Sequence, residues 1–300
     1  MQNILQKFSS YLSRKNTVHG LMLVPALFFY IPFFVIPIVL GLALSFADWS
    51  GISGSLSLGW NGIENYVELA NDRKFWSSLR ITFKFVAMTV APILIFSLLL
   101  SNAIHSSLSL LSETVKIAIL TPIAMSAVSI GILATFFFSP TIGIPTLISD
   151  RPVDIFADPN GALVTIAIAH IWGGVGFSTF IYLAGLQAIP EVLYEAAKID
   201  GANVFARFWK VTVPLLRETT IINLILIVII AFRSFGLIYT MTRGGPYRAT
   251  EVLSFFMYKQ AFVSFRMSYG SAVAVILFLI ILALTLFQLR ATRSGSSKFY

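Results

Sequence analysis

The chain has 300 residues, 57% of them hydrophobic and only 11% charged, with a mean hydropathy of +0.85. Soluble domains carry about 25% charged residues, so this composition excludes a soluble globular enzyme and indicates an all-α polytopic membrane protein. The net charge of +8 is spread over loops and tails, which suits anionic lipid headgroups and not nucleic acid; with no cysteine, disulfides and cysteine-ligated metals are excluded.

Residues 1–20 are polar, with Lys7, Arg14 and Lys15. The uncharged run from Leu21 to Phe46 is long enough to span, given about 20 residues per crossing. It is too long for the roughly 7–15-residue core of a signal peptide, so it predicts a retained first span. Pro25, Pro32 and Pro37 predict kinks or early breaks in it. Residues 47–78 form a polar outer loop, and Arg80 and Lys84 lie on the approach to a second span over 85–104. A short turn carrying Glu113 and Lys116 leads to a third span over 117–138. Residues 139–161, rich in Pro, Gly and Asp, form a second outer loop. Spans four, five and six follow over 162–188, 219–240 and 271–289, and the basic tail from Arg290 reads as disordered. Six spans place both termini on one side. Lys and Arg are nearly balanced between the two sides, so the positive-inside rule gives only a small bias toward termini inside. The organisation is thus an N-terminal segment 1–20, a six-helix domain 21–290 and a tail 291–300.

Between spans four and five lies a stretch that cannot sit in lipid. Pro190 suits the first turn of a helix, and Glu191 and Glu195 place negative charge near its positive end. Leu193, Ala196 and Ala197 keep the i, i+3, i+4 spacing of one apolar face. Asp200 precedes Gly201, which stands where a left-handed cap would end the helix. Phe205, Phe208 and Trp209 repeat the apolar spacing in a second short helix, interleaved with Arg207 and Lys210, and Pro214 ends it. A helix, a glycine turn and a second helix held at the membrane face can dock into a cleft on a soluble partner.

Glu195-Ala196-Ala197, Asp200-Gly201-Ala202, Phe208, Val211 and Pro214 resemble the EAA loop of ABC-importer permeases, here about 190–214. The lead-in Gly185-Leu186-Gln187-Ala188-Ile189-Pro190 is similar to that of the carbohydrate-importing branch, of the maltose and glycerol-phosphate type. So is Asn65-Tyr66 with Phe75, Leu79 and Thr82 before the second span. Gly244-Gly245-Pro246, followed by Tyr258, Ala261-Phe262 and Gly270-Ser271-Ala272, resembles the outer signature of the same branch. The family usually has Asn where Ile81 stands, Gly where Arg243 stands and often a second proline where Arg217 stands. The resemblance implies the MetI-like permease fold with six transmembrane helices in a bacterial or archaeal cytoplasmic membrane, termini cytoplasmic. It implies that the loop is gripped by two ABC ATPase subunits, which carry ATP and Mg, and that this chain carries no cofactor. It further implies a second, homologous permease and an extracytoplasmic solute-binding protein docking near Gly244, Gly245 and Pro246.

Backbone polar groups in lipid must be paired, so the spans are helices, and polar groups at mid-depth become candidates for a solute path. His170, Gly174 and Phe177 share one face of the fourth span, with Trp172 nearby. Arg233 and Ser234 lie about one turn outward of the centre of the fifth, and Asn223 lies nearer the loop. Met125, Ser126 and Ser129 are candidates in the third. Gly and Ser also permit close helix packing, and a lone His is equally at home as a satisfied core group. Arg233 at this depth costs about 3 kcal/mol unless it faces water or a partner, so it is expected to point into the cavity. Gly236 stands where the family often has Asp, which leaves Arg233 without that counter-ion.

The chain has no GxxxxGK[ST] phosphate loop, so it does not hydrolyse ATP by that route. The expected function is therefore the permease subunit of an ATP-driven importer for a sugar, oligosaccharide or sugar derivative. The alternatives are an ABC permease for a non-sugar solute, an ion-coupled secondary transporter, or a membrane anchoring protein. No Asp or Glu falls inside the six spans, which argues against proton coupling.

Overall fold

The computed structural model describes residues 15–52, 59–105, 113–148 and 154–296. Residues 1–14 of the N-terminal segment and 297–300 of the tail lie outside the described residues, as do parts of the loops. Among the described residues, five helices are long and apolar enough to cross a membrane, or six if one bent pair counts as a single span. The chain divides into two compact units: Met1–Leu69 with Gln260–Val275, and Ala70–Lys259 with Ile276–Tyr300.

In the first unit, helix α1 (Lys15–Tyr30) continues through a wide turn (Ile31–Val35) into α2 (Ile36–Leu44). The expected proline breaks do not occur. Proline at the start of the wide turn and of α2 is absorbed by an i→i+5 step, in which the Ile36 N–H reaches Ile31 O. That widened step relieves the clash a proline ring makes with the carbonyl four residues back. A small hairpin, β1 (Ala47–Asp48) with β2 (Gly59–Trp60), is antiparallel, with Ala47 opposite Trp60. Asn65 Nδ2 donates to the carbonyls of Ser45 (3.0 Å) and Ala47 (2.8 Å), and the Tyr66 hydroxyl meets Ser45 Oγ at 2.6 Å. The Asn65-Tyr66 pair at the start of α3 (Glu64–Asn71) is therefore a staple for the connection after α2.

The second unit carries the core. Helix α4 (Arg73–His105) begins twelve residues before the expected second span, because Asp72 Oδ1 caps the Lys74 N–H at 2.7 Å. From Phe75 through Thr82, Phe85, Thr89 and Ile93 to Ser97 a single buried stripe runs at helical spacing, while Arg80 and Lys84 stay on the exposed side. The largest correction is the third span. Helix α5 (Glu113–Leu120) and a tight turn (Thr121–Ala124) do not continue straight into α6 (Ala127–Phe137); the two halves are bent by 120°. Pro122 withholds an N–H, Met125 and Ser126 turn extended, and Ser126 Oγ caps the Ser129 N–H at 3.1 Å to restart the helix.

After a short helix α7 (Pro145–Ile148), α8 (Pro159–Gln187) starts at Asp158, whose carboxylate accepts the Gly161 N–H. It packs along α4 and against α6 and α12 (Arg217–Phe232). The fifth span is interrupted at Arg233–Phe235 before α13 (Gly236–Met241). Between α8 and α12 lie α9 (Glu191–Ile199), α10 (Val204–Arg207), a wide turn (Phe208–Thr212) and α11 (Val213–Leu215). A short α14 (Leu253–Tyr258) follows the loop after α13. Phe85, Ile166, Ala169, Ile238, Val252 and Phe255 anchor the apolar core that joins these helices. The last helix, α15 (Met267–Ser296), outruns the expected sixth span, and Arg290–Ser296 are helical where a disordered tail was expected.

Candidate functional site

A cavity of about 240 Å³ lies against the bend of the third span. His170, Gly173, Gly174 and Phe177 of α8 form one wall. Pro122, Ile123 and Met125 at the bend and Ala127 and Ile130 of α6 form a second. Ile93 of α4, Ile227 and Ile230 of α12 and Leu237 of α13 complete it. A Cβ at Gly174 would stand 2.8 Å from Ile93 Cδ1, the tip of that side chain, so Ile93 would have to shift to admit one. His170 is 8% exposed, its ring 5.1 Å from that of Phe85. Its Nε2 has no hydrogen-bond partner among the described residues.

Three of the expected path residues, His170, Gly174 and Phe177, thus meet on one cavity wall, and a further candidate, Met125, lies on the wall at the bend. Trp172 is exposed on another face of α8. Arg233 is exposed at the interruption between α12 and α13 and does not line this cavity, and neither does Ser234, whose carbonyl accepts from Ser254 Oγ at 2.8 Å. Asn223 is fully buried away from the cavity. Its Nδ2 donates to Ser178 Oγ at 2.6 Å, and Ser178 Oγ meets Ser97 Oγ at 2.7 Å. It ties α12 to α8 and α4, a packing role. The apolar wall residues carried no sequence signal of their own. The signal available was Pro122 followed by the Ser126-x-x-Ser129 cap, which marks a restart inside an apolar run.

The loop at 190–214 is a built structure. Gly201 has φ +76°, as its position predicted. The Ala202 N–H reaches Ala197 O at 2.9 Å and the Gly201 N–H reaches Lys198 O at 3.0 Å, the paired bonds of a Schellman cap. Asn203 then caps α10 by accepting the Ala206 N–H at 2.8 Å. No residue of α9 is buried; Glu195, Ala196 and Asp200 are exposed and Ala197 is half-buried. Ile199 is 86% and Phe205 72% exposed. Phe208 is half-buried against Trp209, and Pro214 is exposed. The loop is held at its base, where Leu186 and Leu216 join Tyr182 in a small core and the Tyr194 hydroxyl meets Thr212 Oγ1 at 3.1 Å.

At the opposite end of α12 and α13, the loop around Gly244, Gly245 and Pro246 is stiff. Thr250 Oγ1 meets Thr242 Oγ1 and donates to Gly245 O, both at 2.7 Å. Arg243, Gly244, Tyr247 and Arg248 all have positive φ, a cost for the three non-glycine residues. Glu251, 1% exposed, pairs with Arg248 of this loop at 2.6 Å and with Lys259, just past α14, at 3.3 Å. The sequence reading missed this buried carboxylate, although Arg248 and Glu251 stand three apart. Tyr247 projects from the loop, 93% exposed. Among the described residues no group of three His, Cys, Asp or Glu side chains is placed to hold a metal.

No protein-family model matches the chain. It is 32% identical to the probable ABC transporter permease protein YurN of Bacillus subtilis (strain 168) over 293 residues, covering 95% of this chain and 99% of that protein. It is 35% identical over 236 residues to the trehalose/maltose transport system permease protein MalF of Thermococcus litoralis, covering 77% and 79% of the two chains. In fold it resembles a chain of a bacterial ABC transporter involved in the import of the acidic polysaccharide alginate, with a TM-score of 0.83, 21% identity and coverage of 96% and 99%.

Proposed function

The chain belongs to the permease subunits of carbohydrate-type ABC importers, and on that premise we propose that it forms half of the translocation path for a sugar, oligosaccharide or sugar derivative. It is a multi-pass transport subunit of the cytoplasmic membrane and not an enzyme. A second, homologous permease supplies the other half of the path. Two ABC ATPase subunits, which bind ATP and Mg, grip the loop at 190–214 from the cytosol, the side on which both termini lie. An extracytoplasmic solute-binding protein docks over Gly244, Gly245 and Pro246.

The observation that carries this reading is α9. It is a capped helix with an apolar face and no buried residue, slung between the ends of the two helices that wall the cavity. Apolar surface left uncovered on that scale asks for a partner. Closure of the ATPase pair around ATP would displace α9, and α8 and α12 would move with it. His170, Gly174 and Phe177 would then change their position against the bend of the third span, opening and closing the path in alternation.

The test is co-expression with the ATPase and second permease subunits, reconstitution in vesicles, and uptake of the solute carried by the binding protein. ATP on the α9 side should drive uptake, and the ATPase should co-purify. Uptake driven by a proton or sodium gradient without ATP would overturn the proposal in favour of secondary transport.

A further inference from the structure

We infer that Tyr247 and Arg243 are the docking anchors of the loop after α13, and that they fit a protein face with an apolar pocket for the phenol ring and carboxylates at its rim. The inference rests on the docking reading above, in which the solute-binding protein sits over this loop, and it names the residues and the chemistry of that contact. The starting point is backbone strain. Arg243, Tyr247 and Arg248 have φ of +50°, +47° and +66°, a region that residues with a side chain seldom enter. Such conformations persist only where the surroundings over-determine them, and they cluster at functional positions. Arg248 has an internal reason. Its Nε and Nη2 donate to the two carboxylate oxygens of Glu251 at 3.1 and 2.6 Å, and its guanidinium lies over the Phe256 ring at 5.8 Å. Arg243 and Tyr247 have none. Both are exposed, Tyr247 to 93%, and neither side chain has a hydrogen bond, ion pair or ring contact among the described residues.

The rest of the loop is tied down. The Leu253 N–H donates to Thr82 Oγ1 of α4 at 2.8 Å, and Ser254 Oγ donates to Ser234 O at the interruption of the fifth span, also at 2.8 Å. A Cβ on Gly244 would stand 2.9 Å from Phe255 Cε1, so the chain lies close against that ring. With the Thr242–Thr250 bond, these contacts fix the backbone that presents Arg243 and Tyr247. Stiffness decides between occupants. A fluid layer of lipid headgroups reshapes itself around any anchor and gains nothing from a fixed one. A folded protein surface has a fixed shape, and an anchor already in place meets it at lower entropic cost. Tyrosine adds a large contact area with only two χ angles to freeze. Charge decides the rim. Residues 242–259 carry Arg243, Arg248 and Lys259 against Glu251 alone, and Glu251 is engaged by Arg248 and Lys259. Arg243 has no carboxylate partner among the described residues, so the complementary face is acidic.

The probe is the solute-binding protein of the same importer, and its association with the assembled permease–ATPase complex in nanodiscs is followed by surface kinetics. Tyr247→Ala should weaken binding by about 30-fold, mostly through faster dissociation. Arg243→Gly should slow association about threefold at low salt and have little effect at about 0.5 M salt. Glycine is at ease at φ +50°, so hydrogen exchange over 242–252 in Arg243→Gly should be as slow as in the unaltered chain, or slower. Faster exchange there would make Arg243 a residue of the loop's own fold and overturn its role as an anchor. Both effects should be the same in nanodiscs of neutral lipid and in nanodiscs containing phosphatidylglycerol; a loss that occurs only with the anionic lipid would assign the two residues to headgroups and overturn the inference. Unchanged affinity in Tyr247→Ala would overturn it as well. The docking reading is tested separately. The chain has no cysteine, so Tyr247→Cys carries a single thiol to which a polyethylene glycol maleimide is coupled. If Tyr247→Ala binds normally but the coupled polymer blocks docking, the loop is the docking site and the anchors are wrong. If neither alters binding, the binding protein docks elsewhere and the docking reading falls too.

Discussion

Replacement of Gly201 isolates backbone strain from contact. The residue sits at φ +76° with nothing within 4 Å of where a Cβ would stand. A side chain there meets open space, so the cost is conformational alone. A non-glycine residue in the left-handed region costs about 1–2 kcal/mol, more for a β-branched one, whereas asparagine tolerates it. The strain falls on a cap whose bonds join Ala202 to Ala197 and Gly201 to Lys198, and on a helix with no buried residue. The membrane core is untouched, so insertion and expression should be unchanged. The population of correctly capped loop should fall by about 5- to 30-fold in Gly201→Val. Because this is a population effect, excess ATPase should rescue it by mass action. The assay is ATP-driven uptake in reconstituted vesicles against increasing ATPase subunit, for Gly201→Asn, Gly201→Ala and Gly201→Val. Uptake at limiting ATPase should rank Gly and Asn above Ala, and Ala above Val. If Asn, the larger side chain, proves worse than Ala, the defect is a clash with a partner and the backbone argument is refuted.

Glu195 is exposed near the middle of α9, and Glu195→Lys should lower the ATPase that co-purifies; an undiminished yield would remove this contact. Around Glu251, loss of the carboxylate leaves Arg248 and Lys259 partly solvated, at side-chain exposures of 32% and 42%, whereas loss of Arg248 leaves a buried carboxylate short of a partner. Hydrogen exchange over 242–252 should therefore rise more in Arg248→Met than in Glu251→Gln, with α8 unchanged in both; the reverse order would contradict the pairing. Arg233 has no ion pair among the described residues, so Arg233→Ala should leave the thermal stability of the subunit unchanged while lowering either uptake or the yield of the complex; survival of both would make Arg233 idle.

Much of this was legible in the sequence because each signal was local. Gly201, Asp200 and the Ala196-Ala197 face specify a capped helix within twelve residues, and the structure has that helix. His170, Gly174 and Phe177 share a face by helical spacing alone, and they line the cavity together. What escaped depended on distant partners. Asn223 reads as a mid-depth polar group, but its meaning comes from Ser178 and Ser97 on two other helices. The third span reads as one apolar run, since hydropathy averages over Pro122 and Ser126, although those two residues end one helix and begin the next. Arg233 was expected in the cavity because burial of a guanidinium is costly. In this chain the residue is exposed at the interruption of the fifth span and does not line the pocket at the bend.

The loop and the cavity are linked by rigid elements of matched length. Phe177 stands ten residues before the end of α8 at Gln187, and Ile227 stands ten residues after the start of α12 at Arg217. At 1.5 Å per residue both lie about 15 Å from the loop. Two helices of equal reach carry a displacement of the loop to the same depth of the cavity. They would lose that register if they slid past one another. Two contacts oppose such sliding. Leu186 and Leu216 pack together with Tyr182 next to the loop, and the Asn223–Ser178 bond lies between loop and cavity. A bond buried to 0% exposure is costly to leave unmade, so it ties α8 to α12, and the bend at Met125–Ser126 forms the face opposite them. The break in the third span is thus the counterpart of the clasp: one side of the cavity is tied by a buried polar bond, and the other is shaped by a proline and two extended residues.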